Sequence, residues 1–189
     1  MHFKEIELKY DAADINMSAF VDLVESSFSI SKKMMVSSYD DYFTDSNGNF
    51  IRYRHHDNRG ELTIKRKINE KNNNERVEVN VPTTGDNLKT VTAFVDLLGY
   101  KHNFGIYKTC KIYWVDKVVL VYYVVYDKEM KELRRFIEIE ADEEQTWDSE
   151  QQAWDEIARY EKLLESLGIT SRNRLKKSLY EIFKKTSNA

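Results

Sequence analysis

Hydrophobic and polar residues alternate with a period of two through most of the chain, at about 2–10, 35–45, 49–57, 61–70, 74–81, 103–116, 117–127 and 133–141. That period belongs to β-strands, whose successive side chains point to opposite faces. Turn signals such as Ser46-Asn47-Gly48-Asn49 and Asn58-Arg59-Gly60 separate several of the stretches, so the pattern predicts an antiparallel meander of about eight strands. Helical spacing takes over at Ile15, Ala19, Phe20, Leu23 and Val24, at Leu88, Val91, Phe94, Val95 and Leu98, from Trp154 to Leu167, and from Leu175 to Phe183. Asp86 or Asn87 is expected to cap the second helix, and Gly99 and Gly168 to end two of them. No repeat and no linker interrupts residues 1–189, which predicts a single α+β domain. Eight strands with few helices form a sandwich or close into a barrel, and closure removes exposed edges.

Alternation also sorts the charges. Glu5, Glu7 and Lys9 share a face opposite Ile6 and Leu8, Arg52 and Arg54 lie opposite Ile51 and Tyr53, and Lys65 and Lys67 lie opposite Ile64, Arg66 and Ile68. Arg76 and Glu78 lie opposite Val77 and Val79, and Glu138 and Glu140 opposite Ile137 and Ile139. If the charged faces meet solvent, the apolar faces fill the interior, which is the ordinary arrangement. In the inverse arrangement the charged faces line a central channel, and amphipathic helices cover the apolar faces from outside. The sorting favours the channel: acids occupy the first and last strands and bases the middle ones, whereas a solvated face mixes signs. Carboxylates at Glu5, Glu7, Glu138 and Glu140 suit a hard divalent cation, Mg²⁺ or Mn²⁺, and the lysines and arginines suit phosphate oxygens.

Composition narrows the setting. A hydrophobic share of 41% with 13% aromatics excludes disorder, and 189 residues can bury a real core. The single Cys110 cannot form an internal disulfide, and Met1-His2-Phe3-Lys4-Glu5 lacks the apolar run of a signal peptide, so a cytoplasmic location is expected. The longest apolar run, Val118 to Tyr126, suits a buried strand and is too short for a membrane helix. A formal net charge of −3 offers no basic field for nucleic acid. Neither a membrane nor a nucleic acid is therefore an expected partner.

The Glu5-Ile6-Glu7-Leu8-Lys9 row resembles the ExExK signature of the CYTH superfamily, the triphosphate tunnel metalloenzymes, which includes class IV adenylyl cyclases, thiamine triphosphatases and inorganic triphosphatases. Five further segments resemble the family in the same order. These are Tyr39-Asp40-Asp41-Tyr42-Phe43-Thr44, Ile51-Arg52-Tyr53-Arg54, Leu62-Thr63-Ile64-Lys65-Arg66-Lys67, Arg76-Val77-Glu78 and Phe136-Ile137-Glu138-Ile139-Glu140. Ser171 to Phe183 is similar to the family's C-terminal helix. The resemblance implies an eight-stranded antiparallel tunnel that holds a triphosphate lengthwise. Glu5, Glu7, Glu138 and Glu140 would hold the metal, and Lys9, Arg52, Arg54, Lys65, Lys67, Arg76 and Lys108 the phosphates, with Glu5, Glu7 and Lys9 at the chemistry. Two departures stand out. Cys110 occupies the place of a family arginine in Lys108-Thr109-Cys110, with Lys111 on the other face, and Asp127 falls one residue too far from the closing glutamates for the family's aspartate. Either that hairpin is longer by a residue or the acid is absent.

The activity this implies is metal-dependent hydrolysis of an inorganic, thiamine or nucleoside triphosphate by a monomer or homodimer. Hydrolysis is favoured because it needs no base pocket. A class IV-type cyclase making cyclic AMP and pyrophosphate is the alternative within the same tunnel. A non-catalytic nucleotide or polyphosphate binder is the alternative raised by Cys110 and Asp127. Adjacent His55 and His56 point to opposite faces of a strand and cannot share an ion. Cys110 has no activating neighbour in sequence and reads as a buried thiol. The acids from Asp142 to Glu150 suit a helix N-terminus, and Lys176, Lys177, Lys184 and Lys185 a solvated helix face.

Overall fold

The computed structural model describes residues 3–56, 59–69, 72–84 and 88–184, without the side chains of residues 3–5, 65–69, 72–77 and 84. Eight strands run as β1 (Phe3–Asp11), β2 (Ile30–Thr44), β3 (Phe50–His56), β4 (Arg59–Asn69), β5 (Asn72–Thr84), β6 (Lys101–Val115), β7 (Val118–Tyr126) and β8 (Glu132–Ala141). They close into one barrel in the order β1-β5-β4-β3-β2-β6-β7-β8, with β8 pairing back to β1 and every neighbour antiparallel. The expected single meander is therefore two, β2 to β5 and β6 to β8, with β1 inserted between β5 and β8. Two helical crossovers make this possible: α1 (Met17–Ser27) joins β1 to β2, and α2 (Leu88–Leu97) joins β5 to β6. The strand β2 begins five residues before its expected start, because its ladder with β6 continues through the polar Ser31-Lys32-Lys33 with a bulge between Ile30 and Lys32.

The barrel is inside out relative to an ordinary β-domain. Ile6, Leu8 and Tyr10 of β1, Leu120 and Tyr122 of β7, and Ile137 and Ile139 of β8 point outward. They pack against Phe20 and Val24 of α1 and against Ala153, Ile157, Tyr160 and Leu164 of α3 (Glu150–Leu164). Tyr113 Oη donates to Glu25 at 2.7 Å and Tyr122 Oη to the Ile15 carbonyl at 2.7 Å, which fixes α1 on the outer wall. A second outer core places Val91 and Val95 of α2 on Phe43, Ile51 and Tyr53. Asn16 and Ser149 cap α1 and α3 through their side chains. Asp86 and Asn87, the expected caps of α2, lie outside the described residues. Gly99 and Gly168 follow α2 and the 3₁₀ turn after α3 at φ 86° and 79°, a conformation that favours glycine. None of the described helices is long and apolar enough to cross a membrane.

The C-terminal segment departs from the expected helix over Leu175–Phe183. A 3₁₀ turn at Ser171–Asn173 leads into extended backbone, where Arg174 bridges to Tyr10 and the Leu175 amide donates to the Lys9 carbonyl at 2.8 Å. Only Leu179–Phe183 forms α4, started by a reciprocal Ser178–Glu181 capping box. This pairing onto β1 sets the segment across the end of the barrel where β2 finishes and β3 begins. There Tyr180 stacks on Phe50 at 4.4 Å and donates to Thr44 Oγ1 at 2.8 Å.

Candidate active site

The barrel encloses a cavity of about 420 Å³, within the range of about 300–1,000 Å³ that small-molecule sites occupy. Glu7, Lys9, Arg52, Arg54, Lys108, Glu138 and Glu140 all line it, so every described side chain among the expected site residues faces the tunnel. The side chains of Glu5, Lys65, Lys67 and Arg76 lie outside the described residues. The ladder pairs Glu5 with Arg76, Lys65 with Glu78 and Lys67 with Arg76.

Glu7 stands opposite Glu140, and Lys9 opposite Glu138, across the β1–β8 seam that closes the barrel. One carboxylate oxygen from each of Glu7, Glu138 and Glu140 lies within 4.8 Å of the other two. Lys9 Nζ sits 2.8 Å from Glu138 Oε1 and 3.4 Å from Glu7 Oε1, and Tyr123 Oη donates to Glu138 at 2.8 Å. Burial by itself would push the Glu138 carboxyl up. The ammoniums of Lys9 and Lys108, with the hydrogen bonds from Lys9 and Tyr123, outweigh burial and hold it well below the usual carboxylate range. Among the described side chains, the three carboxylates converge here with the Lys9 ammonium in a partly desolvated wall. That oxygen set fits a hard divalent cation such as Mg²⁺ or Mn²⁺, held by a few carboxylates together with waters and ligand oxygens.

A second charged group lies across the tunnel. Asp40 is wholly buried, and Arg54 donates to it in bidentate fashion, Nε to Oδ1 at 2.8 Å and Nη2 to Oδ2 at 3.0 Å. Lys108 Nζ lies 3.5 Å from Asp40 Oδ2. Burial would raise the Asp40 carboxyl, but Arg54 and Lys108 drive it far down instead. Burial, with Arg54 beside it, lowers the Lys108 ammonium. Arg54 is thus an anchored cation rather than an unattached phosphate clamp. Arg52 donates to Thr63 Oγ1 at 2.8 Å and to Glu61 at 3.3 Å, while its buried Nε has no hydrogen-bond partner among the described residues. A buried N–H in a polar cavity costs free energy unless an acceptor reaches it. An anion in the tunnel would supply one.

Both sequence departures are resolved. Cys110 faces the cavity, its thiol pushed up by burial, while Lys111 lies on the outer wall with Nζ 5.7 Å from the Tyr113 ring. Asp127 sits in the β7–β8 turn, where it accepts the Glu129 and Lys131 amides at 2.9 Å each. A one-residue bulge at Val125/Tyr126 does lengthen that hairpin, but no acid stands on β7. What β7 brings to the tunnel is Val119, Val121 and Tyr123. Alternation alone also missed the role of Asp40, because an acid aligned with Arg54 becomes visible only once the β2–β3 register is known. His55 and His102 both bond Asp41 on the outside of the barrel, at 3.0 and 2.8 Å, away from the cavity.

No family model matches the sequence, and no curated protein matches it. Solved structures do. A conserved hypothetical protein from Pyrococcus furiosus superposes with a TM-score of 0.70 at 21% identity, covering 95% of this chain and 99% of its own. A candidate adenylate cyclase from Vibrio parahaemolyticus gives 0.67 at 16% identity, over 96% and 98%. Another from Bacillus halodurans gives 0.62 at 15% identity, over 95% and 98%.

Proposed function

We propose that this chain, whose closed barrel has the fold of the CYTH or triphosphate tunnel superfamily, is a divalent-metal-dependent enzyme that hydrolyses a triphosphate-containing small molecule inside the tunnel. The observation that carries the proposal is the convergence of Glu7, Glu138 and Glu140 within 4.8 Å in a cavity whose lining also presents Lys9, Arg52, Arg54 and Lys108. Glu7, Glu138 and Glu140 would hold the cation, which when bound neutralises phosphate charge and polarises a phosphoryl group. Lys9 orients two of these carboxylates, and Tyr123 fixes the rotamer of Glu138. Arg52, with its unpartnered buried Nε, and Lys108 present donors to phosphate oxygens, where fixed cations stabilise the charge that grows on the leaving group. Asp40 keeps Arg54 and Lys108 in place, so their orientation is set before a ligand arrives.

The test is turnover of tripolyphosphate, thiamine triphosphate and ATP with Mg²⁺ or Mn²⁺, the products resolved into phosphate, pyrophosphate and cyclic nucleotide, with Glu138→Gln as control. Phosphate release that the control abolishes supports hydrolysis. Pyrophosphate with cyclic AMP would make the protein a cyclase, the activity named for two of its structural neighbours. Binding of triphosphate without any product would instead support a capture protein. Cys110 in the tunnel wall, Lys111 turned outward and the acid-free β7 favour that second reading, because one well-placed electrostatic contact is worth roughly 10²–10³ in turnover. Cys110→Arg separates the two: a large gain in turnover marks a degenerate enzyme, and no change leaves the hydrolase reading in place.

A further inference from the structure

The strand β2 has two unequal edges. Along one it pairs with β6 from Ile30 to Thr44, but along the other it meets β3 only from Tyr39 to Thr44. Residues 30–38 thus have a ladder on one side, and among the described residues no other element's backbone bonds them on the second. The stretch is open to solvent: Ser31 to Met35 and Ser37 are exposed, Met35 at 60%. An extended segment laid beside it would continue the line of β3 beyond His56, its last residue. Nine residues at about 3.3 Å each make an edge roughly 30 Å long.

Unpaired edge amides and carbonyls are a template for one more strand. Only another polypeptide backbone offers the alternating acceptors and donors that such an edge requires. The side chains then select by charge. Lys32 stands on one face, its ammonium 4.3 Å from the Trp114 ring centroid, and Lys33 on the other, the face of Met35 and its cross-strand partner Lys111. The exposed Arg59 opens β4 opposite His56, where the slot meets the end of β3. Glu25, the acid that meets Lys33 at 3.0 Å, is shared with the Tyr113 hydroxyl. A second copy of the chain would bring its own Lys32 and Lys33 into the shared ladder, and edge lysines guard against that self-pairing. An acidic strand meets opposite charge instead, while its apolar residues cover Met34, Met35 and Val36. We propose that residues 30–37 of β2 are a docking edge for an extended, acidic segment of a partner protein, added as a strand in the slot that β3 leaves open.

The test titrates the full chain with three labelled, end-blocked octapeptides that alternate glutamate with valine, lysine with valine, and glutamate with proline. Fluorescence anisotropy gives the affinity, and amide hydrogen exchange read by mass spectrometry gives the place. The glutamate–valine peptide is expected to bind about tenfold more tightly than either of the others, because lysine reverses the charge and proline removes the amide donors. At saturation, exchange of the amides in residues 30–37 that face away from β6 is expected to slow by about tenfold or more. Lys32→Glu combined with Lys33→Glu is expected to invert the preference between the glutamate–valine and lysine–valine peptides. Should that double variant not fold, Met35→Glu is expected to weaken the glutamate–valine peptide alone. Absence of binding, equal binding of all three peptides, or protection of the tunnel-lining strands with residues 30–37 unchanged overturns the proposal. Concentration-dependent dimerisation that slows the same amides also overturns it, by giving the edge to a second copy.

Discussion

Asp40→Asn removes one negative charge from a pocket where Arg54 and Lys108 depend on it. Asp40 has no exposed surface, and its two oxygens take 2.8 and 3.0 Å bonds from Arg54 with Lys108 at 3.5 Å. The amide keeps the shape but leaves two adjacent cations without their counter-charge in a desolvated wall. Removing one partner of a buried ion pair costs about 3–5 kcal/mol. For a chain of this size each kcal/mol moves the melting temperature by about 2–4 °C, so a fall of roughly 6–20 °C is expected in a thermal melt followed by circular dichroism. Arg54→Met in the same background should cost less than the sum of the two single changes, because the second substitution removes a charge the first had stranded. A shift for Asp40→Asn under about 3 °C, or strict additivity, would refute the reasoning that this carboxylate holds the basic wall together.

Acid stability follows from the same groups. The Asp40 and Glu138 carboxyls titrate lower in the folded chain than in the unfolded one. Their contribution is complete above the unfolded carboxylate range near about pH 4 and is lost as the pH falls through their folded values. The melting temperature should therefore drop steeply below about pH 4, and less steeply in Asp40→Asn; equal slopes would contradict this. At Gly105 an added Cβ would lie 2.1 Å from Tyr39 Oη and 2.6 Å from its Cζ, so Gly105→Ala should cost about 1–3 kcal/mol in chemical denaturation, and a neutral result would mean Tyr39 moves aside freely. Tyr180→Ala strips the stack on Phe50 and the bond to Thr44 and should cost about 3–5 kcal/mol, whereas Tyr180→Phe should cost about 0.5–1.5 kcal/mol. Equal losses from the two would assign the effect to the hydroxyl rather than the ring.

The barrel was legible because alternation is a local signal: Ile6 and Leu8 against Glu7 and Lys9, or Ile137 and Ile139 against Glu138 and Glu140, state two faces without any tertiary information. Which face turned inward needed the sorting of charges along the chain, and the outer helices bear that choice out. The position of β1 between β5 and β8 was not legible, since pairing across the closing seam depends on contacts more than a hundred residues apart. Val118 to Tyr126 gave no face at all, because its residues are apolar on both sides. Leu120, Tyr122 and Val124 serve the outer core, while Val119, Val121 and Tyr123 line the tunnel. The apolar wall was therefore invisible until β7 had a register. The C-terminal segment misled for a related reason: Leu175 has helical spacing from Leu179 and Ile182, yet its amide is taken by the Lys9 carbonyl.

The tunnel metal site is tested most directly by counting bound Mn²⁺ in the full chain by electron paramagnetic resonance, in the wild type and in Glu7→Gln, Glu138→Gln and Glu140→Gln. The geometry predicts saturable binding in the wild type and at least tenfold weaker binding in each variant, with the fold retained by circular dichroism. Unsaturable binding in the wild type, or affinity unchanged by all three substitutions, would contradict a metal site at these carboxylates.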